Sequence, residues 1–132
     1  MKDLLKSIKA ETSNTFSRTF EVTAPKADSN GKLKLWELLQ EIEESTKEPC
    51  QTLISVAPEY EKFRRRVELD KFDDAQVGDT VELLARFYSS EKRQVKLRVF
   101  VRILKGPKRT SKVARAEYMF EAVHENQLAK AG

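Results

Sequence analysis

The sequence predicts an α+β domain in which one long helix lies across an antiparallel sheet. Three observations carry that prediction. Five stretches alternate polar and apolar residues with the period of two that belongs to half-buried strands. One stretch, roughly residues 33 to 48, instead repeats its apolar residues every three to four positions. The order is also particular: a strand, a turn, the helix, an irregular segment, and then only strands. With 132 residues, 39% of them hydrophobic, the chain can bury one core without metal or disulfide staples and is too short for two.

Residues 1 to 12 place Leu4, Leu5 and Ile8 at helical spacing, which predicts a short leading helix or an arm. From Ser17 to Thr23 the chain alternates as a strand, with Phe16, Phe20 and Val22 on one parity and Arg18 as the misfit among them. Asp28-Ser29-Asn30-Gly31 is a dense turn signal. Leu35, Trp36, Leu38, Leu39 and Ile42 then mark the apolar stripe of a helix about 24 Å long, which Pro49 is expected to end. Residues 50 to 63 form the irregular segment, in which Thr52 to Val56 reads as either a short strand or a second helical turn and Pro58 argues against a long element. Strands are predicted over Arg65–Phe72, Thr80–Tyr88, Gln94–Leu104 and Lys112–Val123, joined by polar turns at 73–79, 89–93 and 105–109. In the third of these Val95, Leu97, Val99, Val101 and Ile103 share the packed face. In the fourth the set Ala114, Ala116, Tyr118, Phe120 and Ala122 faces inward.

Composition excludes several classes. No run of 18 apolar residues is present, so no membrane-spanning helix is expected; the first residues lack the pattern of a secretory signal, and the chain reads as cytoplasmic. One Cys (Cys50) and one His (His124) support neither an internal disulfide nor a zinc site. The net charge of +4 is divided unevenly, with 8 basic and 11 acidic residues in 1–61 against 17 and 10 in 62–132. The basic residues of the second half alternate with apolar ones, as on the wet face of a sheet, so nucleic acid is not the expected partner.

The segment from Asp28 through Gly31 into Lys32-Leu33-Lys34-Leu35-Trp36-Glu37-Leu38, ending in the acidic pair Glu43-Glu44, resembles without gaps the loop-and-helix segment of the hotdog-fold thioesterase family. Val77-Gly78-Asp79-Thr80-Val81 is similar to the turn that opens the long hairpin of that family, and the Ala-rich last strand agrees. The resemblance covers roughly residues 16 to 124 and looks closest to the acyl-CoA and acyl-carrier-protein thioesterase branches. It implies a single hotdog domain, a sheet wrapped around the helix, a homodimer or higher oligomer joined through sheet edges, and an acyl-thioester site at the interface. No cofactor is implied; coenzyme A or phosphopantetheine enters as part of the substrate, and an acyl carrier protein is a further candidate partner. Carried over by position, Asp28 is the candidate base or nucleophile and Asn30 orients water or substrate, while the backbone N–H of Leu35 polarises the carbonyl. A helix start has such donors to spare.

The chain departs from the family at Lys32, where many members have a His, and at Lys34 and Leu35, where they have an Asn pair. An acyl thioester hydrolase is therefore the first expectation. A non-catalytic acyl-binding or assembly protein is the second. Asp28 and Asn30 also suit a plain turn with a helix cap. Trp36 either lines an acyl tunnel or anchors the helix to the sheet, with core packing preferred. Glu37, Glu41 and Glu44 read as a solvated helix face, and Cys50 as a small buried hydrophobe. Lys108, Arg109 and Lys112 surround the Lys105–Lys112 turn, where they either hold the phosphates or acidic surface of a substrate carrier or stand in solvent at a hairpin tip. Arg64-Arg65-Arg66 is open to the same two readings.

Overall fold

The computed structural model describes residues 15–58, 63–91 and 94–122, without the side chains of 63–66, 89–91 and 122. Its elements follow the predicted order: β1 (Thr15–Glu21), α1 (Leu35–Ser45), α2 (Lys47–Val56), β2 (Phe63–Lys71), β3 (Thr80–Glu91), β4 (Gln94–Lys105) and β5 (Lys112–Ala122). The five strands form one antiparallel sheet in the order β1-β3-β4-β5-β2, so β1 and β2 are its edges. The predicted arm at residues 1–12, the Lys92-Arg93 hairpin tip, Val123 and His124 lie outside the described residues.

The inner face of the sheet is apolar along every central strand. Val81, Leu83, Ala85 and Phe87 of β3, Val95 through Ile103 of β4 in alternation, and Ala114, Ala116, Tyr118 and Phe120 of β5 are all buried. Onto this face the helices set Leu38, Ile42 and Leu53, each at most 1% exposed. Aromatic pairs fix the layers: Phe16 meets Phe87 edge-on at 6.4 Å, and Tyr118 stacks on Phe120 at 6.3 Å.

Three expectations are corrected. Pro49 does not end the helix: the chain bends at Thr46 and continues as α2, with Pro49 in its first turn, where an N–H has no intrahelical partner to lose. Ser45 and Thr46 mark the bend by donating their hydroxyls to the carbonyls of Ile42 and Glu43, at 2.5 and 2.7 Å. Trp36 does not anchor the helix to the sheet, being 62% exposed beside Leu35 and Leu39. Glu41 is not on a solvated face either. It is buried on the same side as Leu38 and Ile42.

Candidate active site

Asp28 organises its own loop. Its Oδ1 accepts the backbone N–H of Asn30 at 2.8 Å and of Lys32 at 3.0 Å, while its backbone N–H donates to Lys32 and its carbonyl accepts Gly31. Gly31 closes the turn at φ +76°, a conformation that glycine adopts without a Cβ penalty. Both Asp28 and Asn30 are exposed. Among the described residues no donor reaches Oδ2 of Asp28, so one oxygen of this exposed carboxylate holds the turn and the other is not tied down by it.

The turn is fastened on both sides. Lys34 N–H donates to Lys26 carbonyl, folding the segment back on itself just before the helix. Leu33 N–H donates to Ala75 and Val77 N–H to Gly31, which ties the loop to the Val77-Gly78-Asp79 turn. That turn is bonded in its own right to Val22, through Gly78 N–H to Val22 carbonyl and Val22 N–H to Asp79 carbonyl. Asp79 is 3% exposed and accepts Gln76 N–H, and its Oδ1 lies where a Cβ on Gly106 would fall. A turn far away in the chain, at residues 75–79, thus braces the Asp28 loop.

The loop delivers the chain to an uncapped helix. Lys34 is the N-cap residue and gives no side-chain cap, so neither Asp28 nor Asn30 caps α1; of the plain reading, the turn is present and the cap is not. The N–H groups of Leu35, Trp36 and Glu37 precede the first intrahelical bond, which Leu38 N–H makes to Lys34. These donors, at the positive end of the helix dipole, are suited to an oxygen that gains negative charge.

Sequence reading missed the clamp behind this loop. Glu41 accepts Arg18 Nε from β1 through Oε2 and Lys26 Nζ through Oε1, each at 3.0 Å. Lys26 also lies over the Phe20 ring at 5.0 Å. The signal that was present is Arg18 itself, an out-of-pattern cation that needed an acid on the facing helix.

The basic turn is divided by the structure. Lys108 Nζ is 3.0 Å from Asp73 and Arg109 is exposed, whereas Lys112 lines a groove on the opposite, outer face of the sheet. Lys32, at the position of the family His, stands 3.5 Å from Asp74, which also pairs with Lys71. Lys108 holds the Asp73 carboxyl below its ordinary range, chiefly by hydrogen bonding, and Lys71 does the same for Asp74. Asp28, Asn30 and Leu35 therefore share one continuous segment with exposed Trp36 beside them, while Lys112 stands apart. The side chains of Arg64, Arg65 and Arg66 lie outside the description. Among the described residues no cluster of metal ligands occurs.

No protein-family model matches the chain, and no curated protein matches it in sequence. Solved structures do. The PaaI protein from the phenylacetic acid degradation operon of E. coli is similar at 14% identity and TM-score 0.65, over 82% of this chain and 76% of that one. A 1,4-dihydroxy-2-naphthoyl-CoA thioesterase from Synechocystis is similar at 19% identity and TM-score 0.59, over 84% and 85%. The 4-hydroxybenzoyl-CoA thioesterase from a Pseudomonas species follows at 8% identity and TM-score 0.64, over 82% and 84%. An antiparallel sheet of this strand order, closed on a bent helix and shared with these structures over most of each chain, is the hotdog fold, and it is the fold of this protein.

Proposed function

We propose that this protein is an acyl thioester hydrolase acting on acyl groups carried by coenzyme A or an acyl carrier protein. The observation that carries the reading is the juxtaposition, on one braced segment of a hotdog fold, of an exposed carboxylate at Asp28 and the donor-rich start of α1. Two of the similar structures bear the names of acyl-CoA thioesterases, which supports the same chemistry. A thioester carbonyl needs little activation. Asp28 takes a proton from the attacking water and passes it to the departing thiolate, or itself attacks to give an anhydride that water then hydrolyses, and Asn30 orients the nucleophile. Leu35 N–H stabilises the oxyanion until the thiolate leaves.

The second reading, a non-catalytic acyl-binding protein, draws on Lys32, whose pairing with Asp74 makes it a fastener of the loop. Thiol release from a panel of acyl-CoA and acyl-carrier-protein substrates decides between them. Asp28→Asn is the sharper variant, because an amide oxygen can still accept the Asn30 and Lys32 N–H groups while no base remains. Hydrolysis reduced at least about 100-fold in a folded Asp28→Asn protein is the expected result. Wild-type protein that retains acyl ligands without turning them over supports the second reading.

A further inference from the structure

The outer face of the sheet carries a feature that the thioester site does not use. Residues on this face run in rows across the strands: Glu82, Arg102 and Lys112 in one, then Leu84, Phe100, Arg115 and Asp70 in the next. The first row is charged throughout, and the second has Leu84 and Phe100 where a wet face would carry polar side chains. Phe72, just beyond β2, adds a third apolar group, and Phe72 and Phe100 are 55% and 40% exposed. Together they floor a groove of about 650 Å³, a volume usual for small-molecule sites.

Charge on its rim is of one sign. Arg102, Lys112 and Arg115 line the groove, and among the described residues no acidic one does. Arg102 is held by Glu82 and Arg115 gives Nη2 to Asp70, both at 2.8 Å, from acids that stand outside the lining. Lys112 has no acidic partner among the described residues. The Arg115 guanidinium lies 5.9 Å from the Phe72 ring centre, and its Nε is buried with no acceptor among the described residues. The lining therefore offers an apolar floor, one uncompensated cation at Lys112 and a second, partly exposed cation at Arg115 that Asp70 holds in place.

We propose that this groove binds a free carboxylic acid with an extended apolar body, its chain on Phe72, Leu84 and Phe100 and its carboxylate at Lys112 and Arg115. A carboxylate supplies Lys112 with a counter-charge and adds an acceptor beside the Arg115 guanidinium. The site lies on the face of the sheet turned away from α1 and does not depend on the thioester reading. Under that reading the occupant belongs to the class of the product, and the groove becomes a product-sensing site.

The test is an amide-resolved NMR titration of the full chain with sodium decanoate, with decanol as the uncharged control. Saturable shifts at Phe100, Arg102, Lys112, Ala114 and Arg115, with Kd below about 1 mM, are expected. Affinity should fall at least about tenfold for decanol and for the Lys112→Glu variant, and also for Phe100→Ser. Lys112 and Phe100 are surface positions, and the spectrum of each variant reports its fold directly. Any of four outcomes overturns the proposal: no saturable shift, shifts confined to residues 28–39, decanoate binding that is indifferent to Lys112→Glu, or binding to anionic phospholipid vesicles alone. Thiol release is measured separately, so failure of the groove and failure of the thioesterase reading are distinguishable.

Discussion

Arg18 shares its strand parity with Phe16 and Val22, which are buried, and with Phe20, which is half-buried, and it is tolerated because Glu41 meets it from the helix. Glu41 is the costlier partner to remove, since its side chain is only 11% exposed while Arg18 and Lys26 keep 43% and 30%. Replacing it with Ala strands two partly solvated cations and opens a space beneath the loop that leads to Asp28. The expected cost is about 1–2 kcal/mol, below the figure for a fully buried pair because water screens both cations. Urea denaturation of Glu41→Ala checks it, and Glu41→Gln, which keeps a hydrogen-bond acceptor, should recover part of the loss. At this scale the sequence was only half legible. The turn at Asp28 and Asn30 and the helix beginning at Leu35 were legible because turn residues and a helix start are local signals, whereas the roles proposed for them come from the family resemblance. The clamp joins residues 23 positions apart, and no local pattern reports which acid will face which cation.

Pro49 shows how an element can be read correctly in its interior and wrongly at its end. A proline in a helix removes one N–H, a loss that matters only where that N–H would have been used, and after the bend at Thr46 it falls in the first turn of α2. Pro49→Ala should therefore change the denaturation midpoint by an amount equivalent to less than about 1 kcal/mol. A marked gain in stability would show that the proline strains the helix. The strands were more legible than the helices, because alternation fixes which face is buried for each residue in turn. Val95 to Ile103 and Ala114 to Phe120 pack as that pattern predicts. The apolar stripe of α1 was misread because it holds two faces, Leu38 and Ile42 against the sheet and Leu35, Trp36 and Leu39 away from it. Turns carry tighter constraints. Gly106 adopts φ +141°, and a Cβ there would meet Asp79, whose carboxylate accepts Gln76 N–H in the turn that braces the Asp28 loop. Gly106→Ala should destabilise by at least about 2 kcal/mol. Gly31→Ala, with no heavy atom within 4 Å of its new Cβ, should lose only the cost of φ +76°, about 1 kcal/mol. Parallel urea curves for the two variants separate backbone strain from collision.

At the scale of the molecule, ion pairs between loops couple stability to pH. Asp73 and Asp74, paired with Lys108 and Lys71, both have carboxyls held below the ordinary value of 3.8, so the folded state binds these protons less readily than the unfolded chain. Their contribution is complete above that ordinary value and is lost as pH falls through the lowered one. Denaturation midpoints should fall less steeply with acid in Asp73→Asn and Asp74→Asn than in the wild type, and added salt should narrow the difference because the pairs are solvent-facing. A second whole-molecule property is association. Val67 of edge strand β2 is 44% exposed although its cross-strand neighbour Tyr118, on the same inner face, is 1% exposed. Leu35, Trp36 and Leu39 leave an apolar stripe on α1 uncovered within one chain, so large apolar side chains stand in water on a helix face as well as at a sheet edge. We propose that a second copy covers them, the two-fold arrangement expected of a homodimer. Sedimentation at micromolar concentration should give twice the chain mass for the wild type and the single mass for Trp36→Lys and Val67→Asp. Thiol release should fall with the mass in both, because the exposed side of the Asp28 loop and α1 would lose its partner. A wild-type chain that sediments as a monomer and still hydrolyses thioesters would show that the site is complete in one copy, and the exposed stripe would then be free to meet the acyl chain.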